Sequence, residues 1–118
     1  MTEERLAPHL ESLSNAATNA VALVGRISYD DFANDHEAQA ATAMFLILIG
    51  GAAAKIAQLS PQFVASHPAL PWERMRGLRS RIVHDYETLH LPTIWSTAKE
   101  SLPALLSEID PLRNRDLP

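Results

Sequence analysis

Ala40-Ala41-Thr42-Ala43-Met44-Phe45-Leu46-Ile47-Leu48-Ile49-Gly50-Gly51-Ala52-Ala53-Ala54 is the stretch that decides the fold. Only Thr42, Gly50 and Gly51 interrupt its apolar character, and Lys55 follows at once, so it falls short of a membrane span of roughly 20 residues. It reads as a core helix from about Asp35 to Leu59, apolar nearly all round and central to a bundle. On its N-terminal side, Leu6, Leu10, Leu13, Ala17, Ala20 (or Val21) and Val24 recur at three- and four-residue steps. Such spacing places them on one stripe of a helix from about Glu3 to Ile27, with Pro8 in its first turns. Ser28-Tyr29-Asp30-Asp31 reads as the break between the two.

On the C-terminal side, Ser60-Pro61 ends the central helix, and the stretch to Pro71 holds room only for a short helical turn near Gln62 to Ala65. A third main helix is expected from Pro71 or Trp72 to about His84 or Tyr86, and a fourth from Pro92 to about Ile109, kinked at Pro103. No alternating strand pattern or internal repeat is visible. The expected fold is therefore all-α, an antiparallel four-helix bundle with a short extra helical turn before the third main helix, forming one domain over residues 1–118.

Composition narrows the chemistry. With 47% hydrophobic and 20% charged residues, the chain can bury an ordinary core. The absence of cysteine excludes disulfides and thiolate metal sites. The N-terminus lacks the basic and apolar pattern of a signal peptide, so a cytoplasmic location without membrane attachment is expected. A net charge of −4 argues against broad attraction to nucleic acid, but Arg74, Arg76, Arg79 and Arg81 form a local basic patch. His9, His36, His67 and His90 are scattered and show no metal-ligand spacing, so no metal and no cofactor are expected. Trp72 and Trp95 read as packing anchors, and the Gly50-Gly51 pair as close helix packing rather than a phosphate loop.

The chemical signal lies in Arg79-Ser80-Arg81-Ile82-Val83-His84-Asp85-Tyr86, an R-x-x-x-x-H-x-Y pattern. At about 100° per residue, Trp72, Met75, Leu78, Arg79, Ile82, Val83 and Tyr86 share a broad core-facing side with Arg79 at its edge. His84 lies about 140° from Arg79, with Arg76, Gly77 and Ser80 on a different side. Gly77 costs about 1 kcal/mol relative to alanine in mid-helix, which suggests the close approach of another backbone. A helix from a second copy would meet Gly77 and Ser80 there and bring Arg79 and His84 of both chains into one composite site. An imidazole can take a proton from an RNA 2′-hydroxyl or give one to the leaving 5′-oxygen, and arginine can hold the scissile phosphate. RNA supplies its own nucleophile, so such a cut needs no metal and spares DNA.

These residues resemble the HepT-like toxins of the HEPN superfamily. Phe45-Leu46-Ile47-Leu48-Ile49-Gly50-Gly51-Ala52-Ala53 looks like the family's F-L-x-x-I-G-E-A segment, and Leu70-Pro71-Trp72 with Met75-Arg76-Gly77-Leu78-Arg79 looks like its P-W-x-x-M-R-x-x-R segment. R-x-x-x-x-H-x-Y follows, and Ile94-Trp95 with Leu102-Pro103-Ala104-Leu105-Leu106 resembles the last helix. The resemblance implies a homodimeric helical bundle, a metal-independent RNase toxin with Arg79 and His84 as catalytic pair, and a nucleotidyltransferase antitoxin of the MntA type. It also implies that the antitoxin attaches AMP to Tyr86, adding negative charge beside the site. Arg76, Ser80 and Arg81 are candidate phosphate contacts in support of the pair. Two positions depart from the pattern: Ser80 stands where Asn or another polar residue is usual, and Gly51 where the family has glutamate. A noncatalytic module that only binds a nucleotidyltransferase is the alternative, favoured by those two positions and by the acidic net charge.

Overall fold

The computed structural model describes residues 2–115. Helix α1 (Thr2–Gly25) is followed by a short α2 (Tyr29–Ala33), the long α3 (His36–Leu59), a short α4 (Pro61–Ser66), α5 (Trp72–His84), a 3-10 turn (Tyr86–Thr88), α6 (Leu91–Ser96), a π turn (Thr97–Ser101) and α7 (Leu102–Arg115). No strand occurs among the described residues. Helix α3 packs between α1 and α5, α1 also packs on α7, and the bundle measures 46 × 27 × 20 Å. This is the all-α bundle that the periodicity implies, with four main rods if α6, the π turn and α7 are taken as one.

The α1 stripe is buried as its spacing requires: Leu6, Leu10, Leu13, Ala17, Ala20 and Val24 all lie in the core. Leu46, Ile49, Ala53 and Ile56 of α3 face it, together with Ile82 of α5 and Ile94, Leu102, Leu105 and Ile109 behind. Thr42 is buried on α3 without an orphaned hydroxyl, because its Oγ1 donates to the Ala38 carbonyl at 2.8 Å. Glu11 on α1 and Arg113 on α7 pair at 2.8 Å.

Helix α3 departs from expectation in two respects. It is long and apolar enough by composition to cross a membrane, with a mean hydropathy of 1.8 over its richest window. It is also not covered all round: Met44 is 52% and Leu48 50% exposed, along a strip between α1 and α5.

The segment read as a break at Ser28 is a helical turn. Ser28 Oγ accepts from Asp31 N–H, and Phe32 is buried against Tyr29 and Trp95, with ring centroids 6.3 Å and 5.2 Å away. Asp35 then caps α3, accepting from Ala38 N–H at 3.1 Å. Replacing that cap by alanine is expected to cost about 1 kcal/mol, measurable as a lower denaturation midpoint for Asp35→Ala with an unchanged slope. Both tryptophans are packing anchors: Trp72 is buried and donates from Nε1 to the His67 carbonyl at 3.0 Å, and Trp95 meets Tyr29 edge-on at 5.6 Å.

The expected kink at Pro103 takes a different form. The π turn lies immediately before it, with Leu102 N–H reaching back five residues to the Thr97 carbonyl. The wider turn accommodates a proline that has no N–H and whose ring crowds the carbonyl four residues earlier. The last helix also runs through Pro111 to Arg115, past the expected end at Ile109.

Candidate active site

Helix α5 is held by Trp72, Met75 and Ile82, the only residues on it that are fully buried. Leu78 faces α6 and α7 beside Thr93 and Leu102, whereas Arg79 faces α3 on the other flank. The two helices touch at Gly50. A Cβ added there would overlap Arg79 Cβ and would lie 2.7 Å from the Met75 carbonyl oxygen. Only a glycine permits this crossing, so close helix packing is the role of Gly50, whereas a Cβ at Gly51 would make only an ordinary contact.

The crossing also lays the Arg79 side chain across Gly51, where a Cβ would lie 3.7 Å from Arg79 Nε. A glutamate at position 51, as in the family pattern, would start beside the guanidinium. Here no ion pair forms between Arg79 and any described residue, and its side chain is exposed.

His84 is the last residue of α5 and is exposed. The chain turns off the helix at Asp85, whose N–H bonds to the Arg81 carbonyl at 2.9 Å, and Tyr86 opens the 3-10 turn. The side of α5 on which Arg79, Val83 and Tyr86 were expected to face the core is therefore open: Arg79 is exposed, Val83 is 52% exposed and Tyr86 50%. Tyr86 misses the core because the helix ends two residues before it. Gly77, Ser80 and His84 do face solvent, but among the described residues no atom outside the helix's own turn approaches a Cβ at Gly77 within 4 Å. Inside one chain, the close approach belongs to Gly50.

Five helical steps carry the chain from Arg79 to His84, about 7.5 Å along the axis and 140° around it. Arg76, half-buried and 3.6 Å from Glu73, lies on the Arg79 side of the helix. Arg81 lies on the opposite side, lining a small cavity with Leu78, Asp85, His90 and Thr93. Arg76 is thus about 60° from Arg79 on the helix, Ser80 stays with His84 on the solvent side about 40° apart, and Arg81 points away from Arg79. Among the described residues, no three His, Asp or Glu side chains come together as a metal-ligand cluster.

Arg79 stands at the edge of an open groove of about 530 Å³ between α1 and α3. Its polar lining comes from His9, Ser12, Asn15 and Asn19 of α1 and Lys55 of α3. Sequence reasoning gave these residues no part in the site, since they carry no motif, and named His9 only among the scattered histidines without metal-ligand spacing. The available signal was a polar but uncharged stripe on α1, Ser12, Asn15 and Asn19 at helical spacing, opposite the leucine stripe.

The model of the ribonuclease HepT-like family matches residues 13–112, a span that contains the α3–α5 crossing and the whole R-x-x-x-x-H-x-Y pattern. The chain belongs to the HepT-like ribonuclease family. A probable ribonuclease HepT from Thermococcus cleftensis is 30% identical over 105 residues, covering 89% of this chain and 93% of the relative. A putative RNase from Caldanaerobacter subterraneus subsp. tengcongensis is 26% identical over 109 residues, covering 92% and 95%. One from Methanocaldococcus jannaschii is 26% identical over 110 residues, covering 93% and 98%. No solved structure matches the chain significantly. Family membership supports an RNase of the HEPN type, on the helical fold described above.

Proposed function

We propose that this protein is a metal-independent endoribonuclease toxin that cuts RNA at a site built by two copies of the chain, with Arg79 and His84 as the catalytic pair. The observation that carries the reading is the Arg79 side chain, exposed, unpaired by any described carboxylate and held across Gly51 at the edge of a groove. A guanidinium so placed is available to the nonbridging oxygens of a phosphodiester.

The imidazole of His84 takes the proton of the 2′-hydroxyl as the 2′-oxygen bonds to phosphorus. The bond from phosphorus to the 5′-oxygen breaks, and that oxygen receives a proton from a protonated imidazole. A 2′,3′-cyclic phosphate and a 5′-hydroxyl result. Two imidazoles, one from each copy, serve the two proton transfers.

Dimerisation supplies what one chain lacks, because Arg79 and His84 diverge on their own helix. Gly77 and Ser80 leave the solvent side of α5 free of bulk, and the exposed Met44 and Val83 offer apolar surface. The test is incubation of the purified protein with single-stranded RNA in EDTA: fragments ending in cyclic phosphate support the reading, and intact RNA rejects it.

Regulation by a nucleotidyltransferase antitoxin of the MntA type is part of the proposal, through AMP attached to Tyr86. The exposed phenol, just outside α5 and two residues from His84, is accessible to such an enzyme. Each AMP adds a negative phosphate where RNA must approach. Co-expression with a cognate nucleotidyltransferase is expected to raise the intact mass by whole AMP units, lost in Tyr86→Phe, with cleavage falling as the adduct accumulates. An unmodified Tyr86 in protein whose activity is nevertheless blocked by the partner would point to inhibition by binding alone.

A further inference from the structure

The α1–α3 groove has a chemistry that the catalytic pair does not explain. Its polar side chains are a hydroxyl (Ser12), two amides (Asn15 and Asn19), an imidazole (His9), an ammonium (Lys55) and the Arg79 guanidinium. None of the six makes a side-chain hydrogen bond or ion pair with another described residue, although polar side chains elsewhere in the bundle, such as Ser14 and His67, have found partners. Among the described residues no Asp or Glu lines the groove, in a chain whose acids outnumber its Lys and Arg by 14 to 10. Its floor is apolar, with Phe45, Ile47 and Leu48. From His9 to Asn19 it follows α1 for about 15 Å.

Two unpaired amides and a hydroxyl beside two cations, above an apolar floor, match a single nucleic-acid strand. Cations hold successive phosphates, amides and hydroxyls bond base edges and the 2′-hydroxyl, and the floor takes the base faces. We propose that this groove is the binding track for the single-stranded RNA on one side of the scissile phosphate. Lys55 holds a phosphate beyond the one at Arg79, and Asn15 and Asn19 read the flanking bases. The proposal rests on the nuclease reading above and adds to it the residues that set substrate affinity and sequence preference.

The test measures binding apart from cleavage. His84→Ala, full length, is titrated with an unstructured fluorescent oligoribonucleotide at several salt concentrations. Lys55→Glu and the pair Asn15→Ala with Asn19→Ala are then added in that background. All three positions are exposed, and Lys99→Glu, outside the groove, makes the same charge change as a control. Lys55→Glu is expected to weaken RNA binding about tenfold or more and to flatten its salt dependence by about one unit of slope. The asparagine pair is expected to weaken binding several-fold and, in the catalytically intact chain, to raise KM with kcat little changed while broadening the choice of cleaved sites. Lys99→Glu should change binding less than twofold.

Groove variants that bind and select RNA like their parent would overturn the proposal, and would leave the nuclease reading intact if the wild type still cuts. A Lys99→Glu loss equal to that of Lys55→Glu would also overturn it, as a plain effect of net charge. Binding that depends on Lys55 and the asparagines in a protein that cuts no RNA would sustain the groove and defeat the nuclease.

Discussion

Gly50→Ala is expected to lose about 2–3 kcal/mol of folding stability, whereas Gly51→Ala one residue later is expected to gain about 0.5–1 kcal/mol. In a helix interior alanine is favoured over glycine by nearly 1 kcal/mol, so the sign at each position depends on what the new methyl meets. At Gly51 it meets Arg79 Nε at 3.7 Å, an ordinary contact. At Gly50 it overlaps Arg79 Cβ and stands 2.7 Å from the Met75 carbonyl oxygen, and neither can move without displacing the α5 backbone. Overpacking of this kind costs about 1–3 kcal/mol or more and exceeds the propensity gain. For a chain of this size each kcal/mol is worth about 4 °C in melting temperature, so thermal unfolding of the two variants should bracket the wild type. Equal melting temperatures for both would mean that α3 and α5 do not cross at Gly50. Since that crossing also aims Arg79, Gly50→Ala should lose RNase activity even at temperatures where it remains folded.

The second large effect concerns catalysis. His84→Ala and Arg79→Ala are each expected to lower the rate of RNA cleavage by about 10²–10³ or more, the range for removing a proton-transfer group or a charge-stabilising donor. Both side chains are exposed, so circular dichroism and melting temperature should hardly change, and the loss is then chemical rather than structural. A composite site makes a sharper demand. When the two inactive variants are mixed and allowed to exchange subunits, the heterodimer contains one intact arginine and one intact histidine on different chains. That heterodimer keeps one of the two imidazoles, so activity should return in part if the pair works across the interface and stay absent if each chain uses its own. Cleavage unaffected by either substitution would remove both residues from the mechanism.

Much of the architecture was legible along the chain because burial repeats locally. Leu6 to Val24 could face only one way on a helix, and all of that stripe is buried. The short α2 escaped notice because Tyr29–Ala33 is a single turn, too short for periodicity to register, and is held by Phe32 packing on Trp95 from a helix some sixty residues away. Tyr86 was placed on the core side by extending the α5 period two residues beyond the point where the helix stops. At the other end, the apolar wrap of α3 suggested complete burial, but nothing in its composition told which side the neighbours would leave open at Met44 and Leu48.

From the residues alone came the all-α class, the order of the main helices, the leucine stripe and the R-x-x-x-x-H-x-Y pattern with its resemblance to a ribonuclease family. These are properties of spacing along one chain, and helix geometry converts them directly into faces. Tertiary structure decided where the faces meet. It made Gly50 the crossing point, laid Arg79 over Gly51, and joined polar residues of α1 with Lys55 in one groove. Those relations depend on how two helices approach and cross, a choice made by packing among residues far apart in sequence, and no period along either helix encodes it.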